Sequence, residues 1–165
     1  MKITDQVNIK ASLDKVWKAI SVEGNLNNCH PFCKFNHVVN WDCENSEDQI
    51  EYYNGLILTR KFTNWDPHKG YELKILKNDL LIALVNWEII SNDKGYSNLI
   101  ITIDFKPKII LNKYPIFLHS LLIKYFLKPR MLHYLRSVLL GFKYYIETGN
   151  IVVKNQFGLN KMFSN

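Results

Sequence analysis

Alternation of apolar and polar residues opens the chain and returns through its middle. Ile3, Val7 and Ile9 are separated by polar residues, and this period of two is typical of a half-buried strand. Further segments with strand character lie at 35–41, 50–53, 56–65, 71–76, 80–90 and 96–105. Short turn sequences join most of them in succession. The pattern predicts about seven strands, most of them in an antiparallel meander.

Helical spacing replaces alternation just after the first strand. Leu13, Val16, Trp17 and Ile20 share one helical face, and Ser12 before them is a good N-cap residue. A second short helical turn is expected at 24–26. The segment 27–33 is predicted to be loop or broken helix, because its proline disfavours helix at the preceding residue.

A second helical region is predicted from residue 109 to about Thr148. Interruptions are expected at Pro115 and Pro129, and the amphipathic pattern is clearest over 130–147. Gly149 supplies a C-terminal stop. The tail after it is predicted to form either a short strand at 151–153 or a loose end.

This order of elements predicts an α+β fold. An antiparallel sheet with one apolar face needs a cover, and the long C-terminal helix supplies it. We therefore predict one domain over residues 1–150 with a tail at 151–165. A sheet that twists around a single helix leaves a gap, so an apolar cavity is expected between the two.

The layout resembles the START-like or helix-grip superfamily (SRPBCC), which includes polyketide cyclases and dehydratases, lipid-transfer domains and the birch-pollen-allergen group. The resemblance covers residues 2–148. Its local matches are IKASLDKVW at 9–17, DQIEYYNG at 48–55, RKFTNW at 60–65 and WEI at 87–89. The segment HPFC at 30–33 resembles an uncharacterised polyketide-cyclase/dehydratase-like subgroup. The resemblance implies a cavity for an apolar ligand but does not imply catalysis.

A polar pair is expected in the second hairpin. If Asn54 and Gly55 form a two-residue turn, Glu51 faces Leu58 and lies diagonal to Arg60 on the same sheet face. Facing inward, the pair is a polar anchor for a ligand; facing outward, it is a surface salt bridge. Both faces of the hairpin carry apolar residues, so the pattern leaves the direction open.

His30 and its flanking cysteines are the other candidates for chemistry. His30 is interpreted either as a proton donor or acceptor at the cavity or as a loop residue bonded to local backbone. Cys29 and Cys33 have ligand types suited to zinc, but no second ligand pair with finger spacing exists. Burial as small apolar residues at a helix end explains them better. The prediction is therefore no metal and no cofactor.

Aromatic residues make up 13% of the chain, enough to supply cavity walls. Trp87 and the other large aromatic residues are equally typical of a hydrophobic core without a cavity. The predicted ligand-binding residues are His30, Phe32, Trp41, Glu51, Tyr53, Arg60, Phe62, Trp65, Trp87 and Phe142.

Composition narrows the classes of partner. The net charge is +6, but the basic residues are dispersed and match no nucleic-acid-binding motif, so no nucleic acid is expected. The three cysteines lack the even number and close spacing of a disulfide framework, which is expected of a protein in the reducing cytoplasm. The polar N-terminus does not resemble a signal peptide. Residues 109–130 are apolar, aromatic and flanked by basic residues, which leaves peripheral contact with an anionic membrane open.

The expected function is binding or transport of a small hydrophobic, lipid- or polyketide-like molecule. The alternatives are a cyclase or dehydratase that uses acid–base residues in the same cavity, and a membrane-associated module that uses residues 109–130. The sequence does not indicate an oligomeric state.

Overall fold

A computed structural model describes residues 1–92 and 94–164. Its strands are β1 (Lys2–Ile9), β2 (Cys33–Asn40), β3 (Glu47–Tyr52), β4 (Ile57–Asp66), β5 (Gly70–Lys77), β6 (Leu80–Ser91) and β7 (Ser97–Phe105). Its α-helices are α1 (Leu13–Ser21), α2 (Leu26–Cys29), α3 (Pro107–Ile110), α4 (His119–Leu122) and α5 (Lys128–Thr148). The strands form one antiparallel sheet in the order β1-β7-β6-β5-β4-β3-β2. The predicted α+β architecture, a seven-stranded sheet with a long C-terminal helix, is confirmed.

The core lies between the inner face of the sheet and α5. Phe142 of α5 is fully buried and meets the ring of Trp87 on β6 edge-on, with centroids 5.0 Å apart. Leu135 and Leu139, at helical spacing, are buried beside it. This face is the apolar stripe that the sequence predicts, and its burial is the main force that holds the helix on the sheet.

Pro129 does not interrupt the C-terminal helix, contrary to the prediction. Lys128 and Leu127 before it have helical backbone angles (φ −60°, ψ −48° and φ −71°, ψ −52°). Residues Ile123–Leu127 form a π-helical turn directly ahead of α5. A wider turn leaves room for a proline ring, which otherwise clashes with the carbonyl four residues earlier. Pro115 does separate α3 from the helical turns that follow.

The β3–β4 hairpin has a longer turn than predicted. The Tyr52 N–H donates to the Leu56 carbonyl at 2.8 Å, so three residues form the loop, and Gly55 takes the positive φ of 80° that such a turn requires. The register therefore pairs Glu51 with Ile57 and Asp48 with Arg60. The predicted shared face of Glu51 and Arg60 is wrong, because one extra loop residue reverses the faces.

Asp48 and Arg60 form a buried ion pair in place of the predicted one. Asp48 is fully buried and Arg60 is 5% exposed. Arg60 Nε donates to Asp48 Oδ1 at 2.7 Å, and Arg60 Nη2 donates to Asp48 Oδ2, giving a two-point contact. Glu51 instead points outward and accepts a hydrogen bond from Lys34 Nζ at 2.6 Å.

Gly141 lets the loop after α2 approach α5 closely. A Cβ at this position would lie 2.1 Å from the Cys29 carbonyl oxygen and 3.2 Å from Pro31 Cδ. The absence of a side chain therefore determines how near the loop that carries His30 sits to the helix.

The C-terminal tail packs against the rest of the structure without forming a strand over its described residues 151–164. Asn54 Nδ2 donates to the Met162 carbonyl at 2.8 Å, and Asn160 Nδ2 donates to the Arg130 carbonyl at 2.8 Å. Phe163 is 6% exposed and belongs to the core. Both predictions for the tail, a short strand at 151–153 or a loose end, are therefore wrong.

Breaking the buried Asp48–Arg60 ion pair should lower the free energy of unfolding far more than breaking the surface pair of Lys34 and Glu51. Asp48→Ala leaves the Arg60 charge buried without a partner, and we expect a loss of about 3–5 kcal/mol in the free energy of unfolding by urea. Glu51→Ala, in the same strand, removes only a solvent-exposed pair and should cost less than about 1 kcal/mol. Equal losses would contradict this register.

Gly141→Ala should destabilise the protein although alanine is the better helix former. Alanine normally gains about 1 kcal/mol over glycine inside a helix. Here its methyl group meets backbone rather than a flexible side chain, so we expect a lower melting temperature. A variant at least as stable as the original protein would show that the loop moves away freely.

Candidate functional site

A cavity of about 680 Å³ lies between the sheet and α5. This volume falls in the range of small-molecule sites. Most of its wall is aliphatic, from the inner faces of β3 to β7 and from Met131, Leu135 and Val138 of α5. Met162 and Phe163 of the tail complete the wall near the β3–β4 turn.

Four polar side chains converge on one part of this wall: His30, Tyr52, Arg60 and Tyr134. His30 follows α2, Tyr52 ends β3, Arg60 lies on β4, and Tyr134 lies on α5. His30, Tyr52 and Arg60 are each at most 5% exposed. The group is therefore assembled from four elements that are distant in sequence.

Three of these side chains form a hydrogen-bonded chain. His30 Nε2 lies 3.0 Å from Tyr134 Oη, and Tyr134 Oη lies 2.9 Å from Tyr52 Oη. The Phe32 N–H donates to His30 Nδ1 at 3.2 Å, so the neutral ring carries its proton on Nε2 and donates to Tyr134. One of the two tyrosine hydroxyls then donates to the other. The remaining hydroxyl proton has no acceptor among the described residues.

The environment keeps these groups neutral. Burial, assisted by the positive charge of Arg60, lowers the pKa of His30 to about 3. Burial raises the pKa of Tyr134 to about 12 and that of Tyr52 well above its usual value. At physiological pH the three hydrogen-bonded side chains are therefore uncharged, and one hydroxyl proton among them is free to donate to a ligand.

Arg60 adds a fixed positive charge beside the hydrogen-bonded side chains of His30, Tyr52 and Tyr134. Burial lowers its pKa, but the Asp48 carboxylate outweighs that effect and raises the pKa of the guanidinium above its usual value. Arg60 uses Nε and Nη2 on Asp48 and lines the cavity. A ligand group with oxygen acceptors fits this wall better than one with donors.

The arrangement favours recognition over proton abstraction. Both ring nitrogens of His30 are engaged, and its low pKa keeps it from taking up a proton near neutrality. No carboxylate lines the cavity within residues 1–92 and 94–164. The group can donate a hydrogen bond and stabilise negative charge, but it lacks a general base.

Three of the predicted ligand-binding residues line the cavity: His30, Arg60 and Trp87. Phe32, Phe62 and Phe142 are buried in the core outside the lining, and Trp41 and Trp65 pack against that core. Glu51 and Tyr53 lie outside the cavity, and Lys154 Nζ sits 4.8 Å from the centroid of the Tyr53 ring.

Sequence reasoning missed Tyr52, Tyr134, Met162 and Phe163. Tyr52 would have been found with the correct turn length, because it alternates with Asp48 and Ile50 along β3. Tyr134 lies seven residues before Gly141, on the same helical face, but helical spacing alone does not mark a polar contact. The two tail residues have no periodic signal.

The two buried cysteines, Cys29 and Cys33, are suited to packing rather than chemistry. Cys29, Cys33 and Cys43 are free thiols. Burial raises the pKa of Cys29 above its usual value and that of Cys33 to about 12, so both remain protonated. Across the part of the chain that the structure describes, no three His, Cys, Asp or Glu side chains are placed to hold a metal ion.

The fold recurs in solved structures, although no family model and no curated protein matches the chain. A protein from Thermus thermophilus aligns with a TM-score of 0.70 and 14% identity, over 88% of this chain and 97% of that one. A Staphylococcus aureus protein of unknown function gives a TM-score of 0.68 and 14% identity, over 90% and 94%. The Aha1 dimer from Colwellia psychrerythraea gives 0.61 and 16%, over 90% and 98%. At these identities the likeness establishes a sheet that grips a C-terminal helix, and no function.

The buried neutral state of His30 predicts a loss of stability in mild acid. Between pH 6.5 and 5 the unfolded chain takes up a proton at His30 that the folded protein, with a His30 pKa of about 3, does not. Stability should therefore fall with decreasing pH, by up to about 1.4 kcal/mol per pH unit from this residue.

Urea unfolding at several pH values checks this expectation. His30→Gln keeps hydrogen-bonding capacity without a titrating ring, so its stability should depend less on pH across this window. His37→Gln, at an exposed position on β2, is the control and should keep the slope of the original protein. A His30→Gln slope as steep as that of the control would contradict the assignment.

Proposed function

We propose that this protein binds or carries a small hydrophobic molecule with an oxygen-containing polar end. The observation that carries the proposal is the cavity of about 680 Å³, whose inner wall is mostly apolar apart from the polar group of His30, Tyr52, Arg60 and Tyr134. Aliphatic walls favour an apolar body, because burying it removes hydrocarbon surface from water. The spare hydroxyl proton and the guanidinium favour a carbonyl, hydroxyl or carboxylate at the other end.

We further propose that the chain belongs to the START-like (SRPBCC) superfamily. The short helices after β1, the sheet around α5 and the position of the cavity between them support this assignment. Membership of this superfamily would be consistent with transport of a lipid- or polyketide-like molecule, but it does not identify the ligand.

The cyclase or dehydratase alternative has weaker support. Its favourable feature is a donor group that can polarise a carbonyl. The described wall supplies no residue to remove a proton, so such an enzyme would depend on a base within the substrate. Binding without turnover needs no such group and is the function that we favour.

Native mass spectrometry of the purified protein tests the proposal directly. We expect a bound hydrophobic molecule, recoverable by solvent extraction, in the original protein. Ala83→Phe places a ring in the cavity from a position that is 1% exposed, and this variant should purify without the molecule while retaining its far-ultraviolet circular dichroism. The same molecule bound to Ala83→Phe at equal occupancy would place its site elsewhere.

Recognition of the polar end is tested with the fluorescent probe 1-anilinonaphthalene-8-sulfonate, which combines apolar rings with an anionic oxygen acceptor group. Tyr52→Phe with Tyr134→Phe removes both hydroxyls, and with them the spare hydroxyl proton. We expect a Kd higher by roughly five-fold, since a hydrogen bond contributes about 1 kcal/mol. Tyr53→Phe, outside the cavity, is the matched control and should leave the Kd unchanged. Equal affinities for all three proteins would overturn the role of the polar group.

A further inference from the structure

A continuous stretch of the chain exposes large apolar side chains to solvent. Ile116 is 84% exposed and Phe117 79%. Tyr114, Leu121, Tyr125 and Phe126, between 48% and 59% exposed, follow the same stretch. We call these six residues the apolar patch. Clustered side chains of this size are rare on the surface of a soluble monomer, whereas singly exposed ones are common.

The charge of the surrounding segment is entirely positive. Residues 105–146 contain eight Lys and Arg and no Asp or Glu, whereas the rest of the chain has thirteen Lys and Arg against fifteen Asp and Glu. The net positive charge of the protein therefore comes from this segment. Lys113, Lys124, Lys128 and Arg130 are exposed beside the apolar patch.

The mouth of the cavity adjoins the apolar patch. The exposed lining residues belong to two segments, 77–80 at the β5–β6 turn and 112–114 after α3. Tyr114 belongs both to the cavity wall and to the patch. Lys77 and Lys113 give this opening positive charge as well.

We propose that the apolar patch and its basic surroundings dock on the surface of an anionic lipid bilayer. Aromatic and aliphatic side chains insert at the level of the headgroups, while lysine and arginine bind anionic lipids. None of the helices within residues 1–92 and 94–164 has the length and apolarity to cross a bilayer, so this contact is peripheral. Docking orients the cavity mouth toward the lipid; that a ligand passes through it rests on the proposed function.

A second copy of the chain fits this surface less well. A symmetric contact would bring the basic residues beside the two apolar patches, among them Lys113, Lys124, Lys128 and Arg130, close together, and their repulsion opposes association. An anionic bilayer presents the opposite charge next to an apolar interior, which matches both features of the segment.

Co-sedimentation with lipid vesicles tests the proposal. The purified protein should bind vesicles of phosphatidylcholine with about one third phosphatidylserine at low ionic strength, and release in about 1 M salt. It should bind phosphatidylcholine vesicles far less. Ile116→Ser with Phe117→Ser should weaken the partition by roughly ten-fold or more, because both side chains would otherwise be buried in the interface.

One further test variant and two matched controls separate this surface from any other. Phe35→Ser with Ile57→Ser changes one phenylalanine and one isoleucine, each 53% exposed, on the sheet and should leave partition unchanged. Lys124→Gln with Lys128→Gln should weaken partition, each lysine contributing roughly five-fold. Lys15→Gln with Lys18→Gln on α1 should not.

Three results would overturn the proposal. These are no binding to the anionic vesicles at low salt, binding that the Ile116→Ser, Phe117→Ser variant retains, and a dimer in analytical ultracentrifugation that this variant abolishes without vesicle binding. The test leaves the cavity intact, since neither residue lines it. Failure here is therefore distinguishable from failure of ligand binding in the Ala83→Phe experiment.

Discussion

The buried ion pair between Asp48 and Arg60 constrains the part of the structure on which the candidate site depends. Two charges removed from water are tolerated only when they meet, so β3 and β4 are held in the one register that pairs these residues. A slip by one residue would turn every side chain of β3 to the opposite face. Tyr52 would then leave the cavity and Glu51 would enter it. The pair also places the Arg60 guanidinium in the cavity wall, where the Asp48 carboxylate compensates its charge.

Helix α5 supports the site from the other side. Tyr134 and Gly141 lie two turns apart on this helix. Gly141 allows the backbone of Cys29 to approach closely, and Tyr134 forms a hydrogen bond with the neighbouring His30. The tail then covers the junction, with the Phe163 ring centroid 4.3 Å from that of Tyr134 and 4.7 Å from that of Tyr52. The polar group is thus enclosed by hydrocarbon and aromatic surface, which strengthens its hydrogen bonds and keeps its members uncharged.

The elements of the fold were predictable, whereas the site was only partly so. Alternation identified the strands and helical spacing identified α1 and α5, because burial of one face imposes those periods on the sequence. The inward direction of Arg60 was left open, and the partner assigned to it was wrong, because that choice turns on whether the β3–β4 loop has two or three residues. Tyr134 and the tail contact depend on packing between distant segments, which leaves no local pattern. The continuity of the helix through Pro129 depends on a π-turn that propensity does not encode.

The balance of charges in the cavity limits what it can do. At its buried end the Arg60 charge is matched by Asp48, and His30 and the tyrosines are neutral, so the group acts through directed hydrogen bonds rather than through net charge. A ligand that offers an oxygen acceptor satisfies the spare hydroxyl. A purely hydrocarbon ligand of the same size displaces water and leaves that buried donor unpaired, at a cost of about 1–3 kcal/mol. The proposed function therefore implies that the tyrosine pair would discriminate polar-ended from fully apolar molecules, while the aliphatic wall would accept hydrocarbon parts of varied shape.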